Sequence, residues 1–227
     1  MNEQPIEKIT LHPAGSLEVH SIFLTIQGEG PFSGRRAIFL RLAGCNLQCP
    51  MCDTEYTSKR ELVTPADLVA RLKKIRFPGH LVVITGGEPF RQRLGPAVNA
   101  MLQAGYEIQI ETNGTAYQDL PYDRITVVCS PKTGKINRGL LQHVDALKYV
   151  IAAGNAGNDG LPLNALGHPA SPYLARPPFL FDGQIYIQPE DSKDPVINQR
   201  NLDVAIESAM KHDFLLGIQL HKHLDME

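Results

Sequence analysis

Cys45, Cys49 and Cys52 stand at spacings of four and three, with one further cysteine far away at Cys129. Disulfide frameworks spread their cysteines through short secreted domains, so a tight cluster of this kind suits metal or redox chemistry better. A cubane iron–sulfur cluster held by three cysteines leaves one iron open to another ligand. The competing reading is a structural zinc site with Cys129 or a histidine as fourth ligand. Zinc knuckles favour paired CxxC units and the chain has no second pair; Cys129, at the end of the apolar run ITVVC, reads as a small buried residue.

Other segments carry residues of the same chemical interest. Thr85-Gly-Gly-Glu88-Pro combines glycines that permit close backbone approach with a carboxylate that can accept hydrogen bonds from an ammonium. Arg41, flanked by leucines, offers a planar fork that suits a carboxylate; the plainer alternative is an arginine reaching from a strand to solvent. Glu111 and Asn113 in ETNG could face a ligand or simply satisfy the backbone of a turn.

These groups need elements to hold them. The β-branched and aromatic runs His20 to Ile26 and Arg36 to Leu42 predict strands, as do 81–85, 107–111, 125–129, 147–151, 184–187 and 215–220. Thr64 is a fitting N-cap, with Pro65 at the first helical position and Asp67 three residues on; further helices are expected from GGEP to Ala104 and over 195–211. Residues 45–56 lack apolar periodicity and read as a loop. Short apolar strands alternating with helical patterns indicate an α/β fold with a mostly parallel sheet. Ligands bind such sheets at the carboxyl ends of the strands, where GCNLQC, TGGEP, ETNGT, CSPK and QPED all fall. The stretch 152–178, rich in Gly, Pro, Asn and Ala, is expected to be an ordered insertion or a mobile lid within a single domain spanning 1–227.

Composition sets the surroundings. With 227 residues, 43% hydrophobic, the chain can build one sizeable core. A formal net charge of -2 offers no basic excess for nucleic acid, no apolar run approaches the roughly 20 residues that span a bilayer, and the first residues have no apolar signal core. A cytoplasmic protein with neither nucleic-acid nor membrane partners is expected.

CxxxCxxC followed by a GGE motif resembles the signature of the radical S-adenosylmethionine (SAM) superfamily, usually built on a partial (β/α) barrel. The segments TIQGEG (25–30), Gly34-Arg35, RLAGCNL (41–47), Cys52-Asp-Thr54, Ser130-Pro-Lys132, Gln188-Pro189 and QLHK (219–222) are similar to those of the 7-carboxy-7-deazaguanine synthases, from about residue 20 onward. The resemblance implies conversion of 6-carboxy-5,6,7,8-tetrahydropterin to 7-carboxy-7-deazaguanine with release of ammonia, on the route to queuosine and other deazapurines. It implies a 4Fe–4S cluster on the three cysteines, SAM used catalytically, and Mg2+ on Thr54. It places Ile26, Gln27, Gly28, Arg41, Thr85, His221 and Glu227 at the substrate. Gly87, Glu88, Ser130, Pro131 and Lys132, with Gln188, Pro189, Glu190 and Asp191, would then hold SAM. A homodimer and a one-electron donor such as a flavodoxin or ferredoxin are further implications. The nearest rival, an activase that generates a glycyl radical on a partner protein, shares CxxxCxxC and GGEP but has no use for QGEG, CDT and HK together. Two positions depart from the pattern: Met51 replaces an aromatic residue and Leu220 a threonine.

Overall fold

The computed structural model describes residues 2–75, 80–168, 173–224 and 226. One sheet organises them, in the order β3-β1-β2-β4-β5-β6-β7-β8-β9. Its strands are β1 (Leu17–Ile26), β2 (Arg36–Leu42), β3 (Glu61–Val63), β4 (Leu81–Gly86), β5 (Glu107–Thr112), β6 (Ile125–Cys129), β7 (Ala146–Ile151), β8 (Gln184–Pro189) and β9 (Leu215–Leu216). The pairs β1/β2 and β1/β3 are antiparallel, and every pairing from β2/β4 to β8/β9 is parallel. The sheet is therefore mixed, mostly parallel and open between its edges β3 and β9.

Helices α1 (Pro65–Lys73), α2 (Gly95–Gln103), α3 (Arg138–Leu141) and α4 (Pro195–His212) lie between strands, and α5 (Leu220–His223) follows the last of them. Helix α1 starts as its sequence predicts: Thr64 Oγ1 accepts from Asp67 N at 3.1 Å, satisfying one of the free N–H groups of the first turn. Asp194 caps α4 by accepting from Val196 N and Ile197 N. The core packs between the sheet and the helices; Leu40, Ile84, Ile110, Val127, Leu147 and Ile187 are fully buried in it.

One strand was not foreseen, and two expectations need correction. Strand β3 lies in a stretch with no strand pattern, Glu61-Leu62-Val63, and forms because Leu17 to Val19 supply a partner. The segment after GGEP is not one helix: Pro89–Arg91 makes a single 3-10 turn, Gln92 is extended, and α2 begins at Gly95. The break exists because the buried Arg91 and Gln92 side chains turn inward, both donating to Ala43 O, at 2.9 and 3.1 Å. Strand 215–220 is cut to Leu215–Leu216, since the chain leaves the sheet after Gly217 N donates to Ile187 O at 2.8 Å and turns into α5.

The described part of 152–178 is ordered by its own polar contacts. Asn155 Nδ2 donates to Asn164 O at 2.8 Å, and Arg176 pairs with Asp159 at 2.7 Å. Leu166 O accepts from Met51 N at 3.1 Å, which ties this segment to the cysteine loop.

Candidate active site

Side chains alternate across a strand. Leu40 and Leu42 of β2, Ile108 and Ile110 of β5, Leu147 and Tyr149 of β7, and Ile187 of β8 face the helices. The residues between them, Phe39 and Arg41, Glu111, Lys148 and Gln188, with Thr85 of β4, line a cavity of about 470 Å³ on the other face. Parallel register aligns them: Arg41 sits opposite Thr85, and Val150 opposite Gln188.

Cys45, Cys49 and Cys52 form another wall of this cavity. Burial raises the Cys45 thiol to about 12 and Cys49 to about 11, and lifts Cys52 as well, so without metal all three are protonated at neutral pH. Among the described residues no three His, Cys, Asp or Glu side chains converge as ligands of a single metal ion. A cubane makes no such demand, because each thiolate binds a different iron. Cys129 is fully buried at the end of β6 and does not line the cavity.

The GGE turn seats the cysteine loop. Gly87 N donates to Leu42 O at 3.2 Å and Glu88 N to Gly44 O at 3.0 Å, immediately before Cys45. A Cβ on Gly87 would stand 2.0 Å from Gly44 O, so no side chain is possible there. The Glu88 carboxylate is fully buried and turned away from the cavity. It accepts from Thr112 Oγ1 at 2.7 Å, Asn113 N at 2.7 Å and Phe90 N at 3.0 Å. In this conformation Glu88 joins two loops rather than facing a ligand, and burial raises its pKa.

Across from the thiols lies a buried charged network. Lys148 pairs with Glu29 and, at 3.2 Å, with Glu111. Gln219 donates to Glu29 at 2.8 Å, and Gln27 to Glu111 at 2.9 Å. Burial alone would raise the Glu29 pKa, but Lys148 and its hydrogen bonds prevail and hold it down at about 2. At the rim, Lys222 bridges Asp53 at 2.7 Å and Asp191 at 2.8 Å, which joins the cysteine loop to the loop after β8. Burial lowers the His221 pKa, favouring the neutral ring. Gly28 is what admits that ring, since a Cβ there would meet His221 Nδ1 at 2.3 Å.

Of the residues singled out from sequence, Gln27, Arg41, Thr54, Thr85, Gly87 and His221 line the cavity with the three cysteines. So do Ser130, Lys132, Gln188, Pro189 and Asp191, as well as Glu111 and Asn113. Ile26, Gly28, Glu88, Pro131 and Glu190 are not among its lining residues; Gly28 instead accepts from Leu220 N at 3.2 Å, and Glu190 O accepts from Asn201 Nδ2 at 2.8 Å. Glu227 lies outside the described residues. Sequence reasoning assigned no role to Glu29, Asp53, Lys148, Gln219 or Lys222. A lysine inside the apolar strand LKYVI was the available signal for Lys148. Leu166 had none, because the irregular segment carrying it has no period to read.

The radical SAM superfamily model matches residues 40–126. Over 220 residues the chain is 43% identical to 7-carboxy-7-deazaguanine synthase of Rhodospirillum rubrum, covering 92% of each protein. The chain belongs to the 7-carboxy-7-deazaguanine synthase family. The synthase of Rickettsia prowazekii is 36% identical over 222 residues, 93% of this chain and 89% of that protein. The fold matches the crystal structure of QueE from Escherichia coli, with a TM-score of 0.69 over 90% of this chain and 94% of that one, at 23% identity.

Membership in this family makes the chain a radical SAM enzyme, with a 4Fe–4S cluster and SAM as its cofactors. The residues present fit both. The thiols supply three soft ligands on one wall, and Lys132 brings a half-buried amino group to the same cavity, donating to Ser130 O at 2.9 Å and Ser130 Oγ at 2.5 Å. Two buried polar atoms of cavity-lining residues, Arg41 Nε and Gln188 Oε1, have no protein partner and remain available to bound groups.

Proposed function

We propose that this enzyme converts 6-carboxy-5,6,7,8-tetrahydropterin to 7-carboxy-7-deazaguanine and ammonia, in queuosine or other deazapurine biosynthesis. The observation that carries the reading is one cavity holding three thiols together with Arg41, whose buried Nε is unpaired. When bound, the cluster and SAM supply the organic radical that starts the ring contraction.

The chain's own residues bind and orient. The Arg41 guanidinium, stacked 5.2 Å from the Phe23 ring centroid, offers its free N–H groups to the substrate carboxylate. Thr85, paired in register with Arg41, Gln27 and a neutral His221 complete the polar contacts on the substrate side. Gly87, Ser130, Lys132, Gln188, Pro189 and Asp191 suit the SAM side. Thr54 contributes one oxygen to Mg2+, the remainder of its shell coming from substrate and water. Glu88 contributes to the SAM side indirectly, through the Thr112–Asn113 turn. Met51 and Leu166 add apolar surface beside the cysteines.

Among the described residues no helix is long and apolar enough to cross a membrane. We take the enzyme to work in the cytoplasm as a homodimer, fed by a flavodoxin- or ferredoxin-like donor. The rival, a glycyl-radical activase, is less supported, because the relatives matched over nine-tenths of the chain are synthases.

The test is incubation of anaerobically reconstituted enzyme with SAM, reductant, Mg2+ and carboxytetrahydropterin. The expected result is 7-carboxy-7-deazaguanine with SAM recovered. Cleavage of SAM to 5′-deoxyadenosine with no deazaguanine formed overturns the assignment.

A further inference from the structure

The cysteine loop 45–56 contains no helix or strand, so its backbone groups must find partners elsewhere. Many find them in residues 2–10, which precede the superfamily match and lie along the loop as a strap. Asn2 N donates to Pro50 O at 2.9 Å and Asn2 Nδ2 to Cys49 O at 3.2 Å. Glu7 N donates to Cys45 O at 2.7 Å, where Ile6 and Cys45 form a parallel bridge. Thus two of the three cysteines have their carbonyls held by the strap.

Gln4 spans the third. Its Nε2 donates to Thr54 O at 2.9 Å, its Oε1 accepts from Tyr56 N at 2.8 Å, and its own carbonyl accepts from Gln48 Nε2 at 2.8 Å. One amide side chain thereby partners the backbone on the exit side of the loop. The far end of the strap is anchored as firmly. Thr10 N donates to Arg91 O at 2.8 Å, and the buried Arg91 guanidinium reaches Thr10 Oγ1 at 2.8 Å, Lys8 O at 3.2 Å, Ala43 O at 2.9 Å and the Glu18 carboxylate.

Thr54 O also accepts a weak hydrogen bond from the Cys52 thiol, at 3.8 Å. Gln4 Nε2, at 2.9 Å, is the much closer donor to Thr54 O, and holds it and the loop after Cys52 in place. We propose that residues 2–10 are part of the cluster-binding apparatus, with Gln4 as the positioning residue that fixes the Cys52–Tyr56 segment. The proposal rests on the radical SAM reading and adds a determinant outside its motifs. Gln4 does not line the cavity; it acts through the loop it holds.

Three proteins decide the matter: wild type, Gln4→Glu, and a chain lacking residues 1–5. Gln4→Glu keeps the acceptor for Tyr56 N but removes the Nε2 donor to Thr54 O and Asn2 Oδ1, so it tests the side chain with the strap still present, whether or not the truncated chain folds. Each is reconstituted anaerobically, then assayed for iron and sulfide during chelator challenge, for the electron paramagnetic resonance spectrum of the reduced cluster with and without SAM, and for the Tm of the apoprotein. Residues that support metal ligands typically change metal affinity by about tenfold to a hundredfold, so Gln4→Glu should lose iron to chelator at correspondingly lower concentration. Its spectrum should shift or broaden in the fraction that retains cluster. Retention and spectrum equal to wild type in Gln4→Glu overturn the proposal, whatever happens to Tm. A wild-type protein that takes up no cluster instead sinks the radical SAM reading, which separates the two failures.

Discussion

The two walls of the cavity are built on opposite principles. The backbone of the thiol wall is an irregular loop held from outside by neutral hydrogen bonds, from the strap on one flank and the GGE turn on the other, with a charged tie from Asp53 to Lys222 at the rim. The facing wall is mostly regular sheet, and its charged groups Lys148, Glu29 and Glu111 pair with one another. Protonated thiols carry no charge, so the loop must be shaped by its backbone until iron replaces the protons. The Lys148 network is complete without any ligand, because such carboxylates are tolerated only with their partner in place, and it leaves Arg41 Nε and Gln188 Oε1 open to bound groups. One wall is prepared to receive a group; the other is already balanced and can present a fixed electrostatic surface.

Substitutions should separate them. The largest expected effect is on the thiol wall: Cys49→Ser should abolish cluster retention and product formation, while the circular dichroism spectrum of the apoprotein stays that of wild type. Iron analysis and a melting curve check both halves. On the charged wall the order reverses. Lys148→Met removes a buried lysine from two carboxylates that are themselves mostly buried; losing one partner of a fully buried pair costs about 3–5 kcal/mol, which bounds the effect read by denaturant unfolding of the apoprotein. Adding Glu29→Gln to that variant should recover part of the loss; no recovery would mean that the pairing is not what stabilises this wall.

Acid supplies a gentler test. The Glu29 pKa lies below its ordinary 4.5, at about 2, so the folded state holds fewer protons than the unfolded chain between those values. Its stabilising contribution is full above pH 4.5 and is lost as pH falls toward 2. Stability of the apoprotein should therefore fall over this acid range, and less so in Glu29→Gln. The smallest effect belongs to the rim, where Lys222 is partly exposed between Asp53 and Asp191. Lys222→Ala should change stability by about 1 kcal/mol or less and show itself in KM for the pterin more than in the melting curve.

The parts of this molecule that repeat were legible in its sequence. The strands 36–42 and 125–129 and the Thr64-capped helix have a period or a cap that local chemistry dictates, and the structure keeps them. The break after GGEP was not legible, because it depends on Arg91 and Gln92 reaching Ala43, nearly fifty residues away. Strand β3 is likewise a product of its neighbour rather than of its own residues.

The chemistry divides the same way. Three cysteines at spacings of four and three already specify soft ligands for a cluster with one open iron, because that capacity resides in atom type and short-range spacing. What the tertiary structure alone decided is which side chains surround that group. It turned the Glu88 carboxylate inward, brought Lys148 between Glu29 and Glu111 from residues more than a hundred and more than thirty positions away, and laid Gln4 against Thr54. Such pairings depend on sheet register and on the paths of loops, and short-range sequence cannot encode contacts whose partners are chosen by the fold.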